Sequence, residues 1–395
     1  MKITKIECIP ISLPKAVPGG RKAGNNIVVV KLYTDEGITG VADGGEYGKA
    51  FGDQDIVISL IKYWEPILIG ADPFDKGLIV AKLSHFIHNN TGMSFPNVVA
   101  SVDFALWDLV GKALNKPIYA LLGGKANDKL AVDYIISDIV APSPEEIAKK
   151  VEKAVANGIR TVCLKVGGLW GGSLERDIIN IKTVRKAIGF RDDFHFCIDA
   201  NGAMDYTSAL ELARRVDDCN LYKFEQPTAW WDVDGMARLR KNIRIPICAH
   251  ESSTKVEGLM EVIKKDAADM VGTKVVWTGG LTEVVRWGGI AKGADLGVYC
   301  GSMNGPFEAA AQAQWLASDA AFGKMAHANF FPMAYHDTFD TTGELTREDI
   351  VVKPLAYKNG YFFAPDEPGI GLELNEKAIP KFITKGYSAV TIGGK

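Results

Sequence analysis

Short apolar runs recur along the middle of the chain, each followed by an amphipathic stretch, and this alternation predicts the architecture. The runs occupy 130–137 (LAVDYIIS), 161–166 (TVCLKV), 195–199 (HFCID), 221–225 (LYKFE), 246–250 (PICAH), 268–275 (ADMVGTKV), 295–300 (DLGVYC) and, more weakly, 327–331 (HANFF). Their apolar character is continuous rather than alternating, which predicts strands covered on both faces, and each gap holds room for one helix. The helix after the first run opens at Ser143, with Glu145 and Glu146 in its first turn, where they favour the helix dipole. Eight β-then-α units predict a (β/α)8 barrel of the TIM type over residues 128–340, with a doubly wound open sheet as the competing arrangement.

The flanks follow other rhythms. Residues 1–127 read as an α+β capping domain: residues 27–33 (IVVVKLY) enter a turn at Asp35-Glu36-Gly37 as a strand, and residues 55–68 and 97–114 read as helices. After residue 340 the pattern breaks into turns such as Pro365-Asp366-Glu367-Pro368-Gly369, and residues 341–395 are expected to return to the capping domain. A chain of 395 residues exceeds what one hydrophobic core usually serves, in keeping with this division.

Composition narrows the class. Hydrophobic residues at 47%, charged residues at 24% and a formal charge of -3 describe a globular chain without the basic block that nucleic acid or an anionic membrane would attract. The expected partner is a small molecule. The cysteines (Cys8, Cys163, Cys197, Cys219, Cys248, Cys300) lie too far apart for a disulfide framework or a zinc motif, so they are read as reduced and the protein as cytoplasmic. The first residues lack the apolar core of a secretory signal, and no run is long enough to span a bilayer.

In such a barrel the active site lies at the carboxyl ends of the strands, so the polar residues closing each run are the candidates. Lys165 closes the second run, Asp199 the third, Glu225 the fourth, His250-Glu251 the fifth and Lys274 the sixth. The intervals 199 to 225, 225 to 251 and 251 to 274 each match one βα unit. Three carboxylates brought together would repel one another, whereas a hard divalent cation makes the cluster favourable, and Mg²⁺ is the economical inference. A lysine that removes protons must be neutral, and burial and a nearby cation both lower its pKa. The predicted chemistry is removal of a proton α to a carboxylate, with the developing enediolate charge stabilised by the metal. Lysines on opposite sides would let one take the proton and the other return it or assist a departing group.

Residues 98–124 (VVASVDFALWDLVGKALNKPIYALLGG), Leu164-Lys165, Asp199-Ala200-Asn201-Gly202, Glu225-Gln226-Pro227 and 274–280 (KVVWTGG) together resemble the enolase superfamily, specifically its muconate lactonizing enzyme-like members. The resemblance covers nearly the whole chain. It implies an α+β cap over a modified (β/α)8 barrel, Mg²⁺, a lysine or histidine base and a homo-oligomer; these belong to the superfamily at large and are not read from spacing. It also implies that Lys165 and Lys274 are the acid/base pair, that Asp199 and Glu225 are metal ligands, and that cap loops near 14–26 and 46–54 choose the substrate. Arg21, Lys22 and Tyr47 are the loop residues expected to meet it.

Departures from the family pattern shape the expectations. Cys163 stands where relatives carry the leading lysine of a Lys-x-Lys pair, so Lys165 is expected to titrate higher and to serve better as an acid. The fifth-strand segment reads Ala249-His250-Glu251-Ser252, with His250 where muconate-type relatives have aspartate; Glu251 is expected as the third metal ligand, with His250 and Asn201 beside the ligands. Segment 300–305 (CGSMNG) lacks the histidine of a His-Asp dyad, and the last run lacks the Asp-x-Asp of dipeptide epimerases. The expected activity is therefore isomerisation of a carboxylate by racemisation, epimerisation or cycloisomerisation, with dehydration of a hydroxy acid or acid sugar as the alternative outcome. A non-catalytic barrel binding a carboxylate or a metal is the alternative of another class. Cys163, Cys197, Cys248 and Cys300, within or at the ends of the predicted strands, are read as packing residues.

Overall fold

The computed structural model describes residues 1–13, 25–44, 53–85, 94–138, 141, 143–301, 305–324 and 347–394. Arg21, Lys22 and Tyr47, and the eighth apolar run at 327–331, lie outside the described residues.

Strands Ile3–Leu13, Asn25–Thr34 and Thr39–Gly44 pair antiparallel in chain order, and the C-terminal strand Val390–Gly393 adds to the free edge of the first. This sheet packs on the helix Ser94–Ala113, the long apolar segment whose buried face includes Val98, Val102, Phe104 and Leu109. The helix predicted over 55–68 breaks at Trp64 into Asp53–Tyr63 and Glu65–Leu68, because Pro66 cannot donate the backbone bond that would continue it.

The apolar runs form one parallel sheet of Asp133–Ile136, Thr161–Lys165, His195–Asp199, Lys223–Glu225, Ile247–Ala249, Met270–Lys274 and Gly297–Gly301. Each strand pairs with the next in chain order, without the reversal that marks a doubly wound sheet. The chain is thus a TIM-type (β/α)8 barrel with an N-terminal α+β cap. Helices fill the crossovers, beginning with Pro144–Ala156, where the Ser143 hydroxyl accepts from the Glu146 N–H at 3.1 Å. The first run divides at Val132: Leu130–Ala131 pairs antiparallel with Tyr361–Phe362, and only Asp133–Ile136 enters the barrel. Among the described residues no helix is long and apolar enough to cross a membrane.

Two buried carboxylates of the cap satisfy barrel-helix N-termini, whose first N–H groups have no partner within their own helix. Asp43 accepts from the N–H groups of Phe307 and Glu308, both at 2.9 Å, at the start of helix Pro306–Ala317. Asp103 accepts from the Thr282 N–H at 3.0 Å and its hydroxyl at 2.5 Å at the start of Leu281–Gly293. Glycine is required opposite each. A Cβ at Gly305 would lie 2.2 Å from Asp43 Oδ2, and one at Gly280 would lie 2.4 Å from Asp103 Oδ2.

Candidate active site

Strand register places the predicted residues in one layer. Lys165, Asp199 and Glu225 are successive Cα partners on adjacent strands, so period-two alternation aims all three to the same side, at the carboxyl end of the barrel. Lys165 pairs with Asp199 Oδ2 and donates to Asn201 Oδ1 at 2.7 Å, while Asn201 Nδ2 donates to Glu251 Oε1 at 2.7 Å. Asn201 therefore ties the second strand to the fifth. Its backbone lies in the left-handed region at φ 46°, and its N–H closes a local turn onto Asp199 Oδ1 at 2.8 Å.

Glu225 is enclosed on both sides. Its Oε2 accepts from Lys223 Nζ at 2.5 Å, and its Oε1 lies 3.0 Å from His250 Nδ1, which is 3.7 Å from Glu251 Oε2. The 3.0 Å approach puts Nδ1 at ion-pair distance from Glu225 Oε1. Glu225 Oε1, both His250 nitrogens and Glu251 Oε2 are buried without a hydrogen-bond partner. Each such group costs about 1–3 kcal/mol when left unsatisfied, so the cluster has the donor chemistry of a cation site. Among the described residues, the metal-ligating side chains whose atoms all lie within 4.8 Å of one another are Cys163, Asp199 and Glu225, so the cysteine read as packing borders two expected ligands, while Glu251 and His250 stand outside that group.

The two lysines differ in setting. Burial lowers Lys274 to about 8; Glu251 opposes the shift and the Lys165 ammonium adds to it. Its Nζ lies 3.8 Å from the centroid of the Trp277 ring. Burial also disfavours the Lys165 ammonium, but Asp199 more than offsets this and holds the group above its ordinary value, in the direction expected for an acid. Burial and the Glu225 charge push Asp199 up to about 6, against the pull of Lys165. For Glu225, burial is outweighed by Lys223 and His250, which hold its carboxyl well below the usual range.

Sequence reasoning missed Lys223 and assigned no part to Gln226. Lys223 is 0% exposed, two residues before Glu225 on the same strand face, and its Nζ stands 3.6 Å from the Tyr299 ring centroid. The signal was present: a lysine at i−2 from a site carboxylate shares its face. Gln226, at φ 34°, accepts from the His250 and Ser252 N–H groups at 2.9 and 3.1 Å and donates to Thr228 O and Ser252 Oγ at 2.9 and 2.7 Å. It thereby holds the fourth and fifth strand ends in fixed relation. A surface pocket of about 360 Å³ lined by Arg214, Asp217, Lys241 and Arg244 opens at the amino ends of the strands and contains none of these groups.

A capped barrel whose strand ends gather carboxylates between two lysines has the architecture of the enolase superfamily. Residues 5–123 match the family described as mandelate racemase / muconate lactonizing enzyme, N-terminal domain, and residues 146–378 match the enolase C-terminal domain-like family. The chain belongs to the mandelate racemase/muconate lactonizing enzyme family of that superfamily. The crystal structure of a family protein from Azoarcus sp. EbN1 superposes with a TM-score of 0.87 at 36% identity, covering 99% of this chain and 100% of that one. N-succinyl-L-Arg/Lys racemase of Bacillus cereus is 28% identical over 389 residues, 96% of this chain and 97% of its own. Arabinonate dehydratase of Saccharolobus solfataricus is 27% identical over 378 residues, 94% of each chain. Further relatives are an epimerase and a cycloisomerase.

Proposed function

We propose that the protein removes the α-proton of a small carboxylate substrate and completes an isomerisation, with Lys274 as the base and Lys165 as the acid. The observation that carries this reading is the asymmetry of the lysines, one amine lowered toward neutrality by burial and the other held as an ammonium by Asp199 and Asn201. Lys274 takes the proton at Nζ, and the C–H electron pair moves onto the substrate carboxylate to give an enediolate. Lys165 returns a proton to the opposite face, which inverts the centre. Asp199, Glu225 and Glu251 would hold a divalent cation, Mg²⁺ by the preference of carboxylate oxygens. When bound, the cation supplies Lewis-acid stabilisation of the charge developing on the carboxylate.

The fixed ammonium of Lys165 also suits a second outcome. Protonation of a β-hydroxyl there, with loss of water, leaves an enol that becomes a 2-keto acid, and the relationship to a sugar-acid dehydratase favours keeping this reading. Residues 1–127 act as the cap in this scheme, 128–340 as the barrel and 341–395 as the returning segment, with Arg21, Lys22 and Tyr47 on the substrate loops. Six buried free cysteines fit a reducing cytoplasmic setting, and assembly as a homo-oligomer belongs to the same reading. Incubation with a panel of carboxylates in D₂O and Mg²⁺ tests the proposal. Deuterium at the α-carbon with stereochemical change identifies an isomerase, and a keto acid product a dehydratase. Absence of exchange across a broad panel would leave only a binding role.

A further inference from the structure

We propose that Trp230 and Trp231 form a subsite at the mouth of the barrel for an apolar group of the substrate, which is thus a carboxylate with an aromatic or aliphatic substituent remote from its α-carbon. This rests on the reading that the carboxylate end is held between the two lysines, and it names the chemistry of the other end.

Trp230 and Trp231 follow the fourth barrel strand, on the turn between Glu225-Gln226-Pro227 and the helix Val233–Arg240. They are 61% and 71% exposed, and their rings meet edge to face with centroids 5.4 Å apart. A single exposed apolar side chain is ordinary, whereas adjoining indoles left in water beside a site mark a surface that a ligand covers.

The turn is fixed against the site. The hydroxyl of Ser252, the neighbour of Glu251, donates to Trp230 O at 2.9 Å, and Thr228 forms a bridge with Met204. A Cβ at Gly202 would lie 3.3 Å from Ala229 Cα and 3.6 Å from Trp230 N, so the turn also packs on Asn201-Gly202. The Asp232 N–H closes it onto Ala229 O at 2.8 Å, and the Thr228 hydroxyl donates to Asp232 O at 2.9 Å. The indoles are therefore carried beside the ends of the third and fifth strands by a segment ordered before any ligand arrives, which lowers the entropy lost on binding.

Polar side chains at these strand ends are already engaged. Asn201 bridges Lys165 and Glu251, Gln226 bonds to His250, Ser252 and Thr228, and the Ser252 and Thr228 hydroxyls donate to main-chain oxygens. Reading the hydroxyls of a sugar acid calls for such groups to be free, whereas an apolar substituent needs only the indole faces. The lysines continue the same surface, with Lys165 Nζ 5.0 Å from the Trp170 ring centroid and Lys274 Nζ 3.8 Å from that of Trp277.

Full-length protein with Mg²⁺ is titrated calorimetrically with 2-hydroxy-4-phenylbutanoate, 2-hydroxybutanoate and gluconate, and α-deuterium exchange of each is followed in D₂O. The phenyl acid is expected to bind at least about tenfold tighter than either of the others. That advantage should fall below about threefold when Trp230→Ala and Trp231→Ala are combined, and should largely persist in Trp231→Phe. Gluconate binding as tightly as the phenyl acid, or no measurable binding of any of the three, overturns the subsite. So does an advantage that survives the double variant; if that variant also dissociates on size-exclusion chromatography, the indoles are a contact between copies instead. Tryptophan-dependent binding without exchange fails the proton-abstraction reading and leaves the subsite standing. The native affinities decide the point if the double variant does not fold.

Discussion

The setting of Lys274 makes a prediction about pH. An ordinary lysine at 10.5 is almost wholly an ammonium at pH 7, whereas burial places this one at about 8. The drop raises the free-amine population near neutrality roughly 300-fold, equivalent to about 3.4 kcal/mol. Lys165 reinforces the shift, and Glu251, Glu308 and Glu225 oppose it, so the value is a balance struck inside the site. A base must be deprotonated to act, so kcat/KM is expected to rise about tenfold per pH unit on the acid side and to flatten near pH 8. Deuterium incorporation from pH 5.5 to 10 measures it. Lys274→Met should lower exchange by a factor of about 10² to 10⁴. The reasoning fails if the rate climbs unbroken beyond pH 9.5, as an unshifted lysine would require, or if the methionine variant keeps its exchange rate.

Other consequences are open to direct measurement. Lys223→Met leaves Glu225 buried beside an apolar side chain, and urea unfolding at pH 8 should show a loss of about 3–5 kcal/mol; a loss below about 1 kcal/mol would mean that the pair contributes little net stability. Burial raises Asp103 from 3.8 to about 7, so between pH 4 and 7 its native carboxyl retains a proton that the unfolded chain has lost. This contribution makes native stability fall as pH rises through that window, and Asp103→Asn should flatten the slope of thermal melts there. Cys163→Lys adds an ammonium beside Asp199 and Glu225, which should lower the pKa of Lys165 and move the pH-rate profile to lower pH; an unchanged profile would count against that coupling.

The strand ends were legible because one-unit spacing in a parallel barrel converts directly into convergence, and Lys165, Asp199 and Glu225 stand side by side as register partners. Lys223 was harder to see, because a lysine inside LYKFE looks like a side chain that reaches solvent, and only the packing of Tyr299 and Glu225 around it removes that exit. Gln226 was invisible for another reason. Its part depends on a left-handed backbone and on bonds to residues 24 and 26 positions onward, neither of which leaves a periodic trace. The break of the first run at Val132 was hidden because a strand that changes partner keeps its apolar character.

The carboxylate and glycine pairs at the junction, Asp43 with Gly305 and Asp103 with Gly280, bear on how such proteins diversify. Each half of a pair resides in a different stretch of chain, and neither half tolerates the wrong counterpart. Recombining a cap from one relative with a barrel from another is therefore expected to succeed only when acid and glycine travel together. An exchange that carries residues 43 and 305, and 103 and 280, as matched sets keeps both anchors.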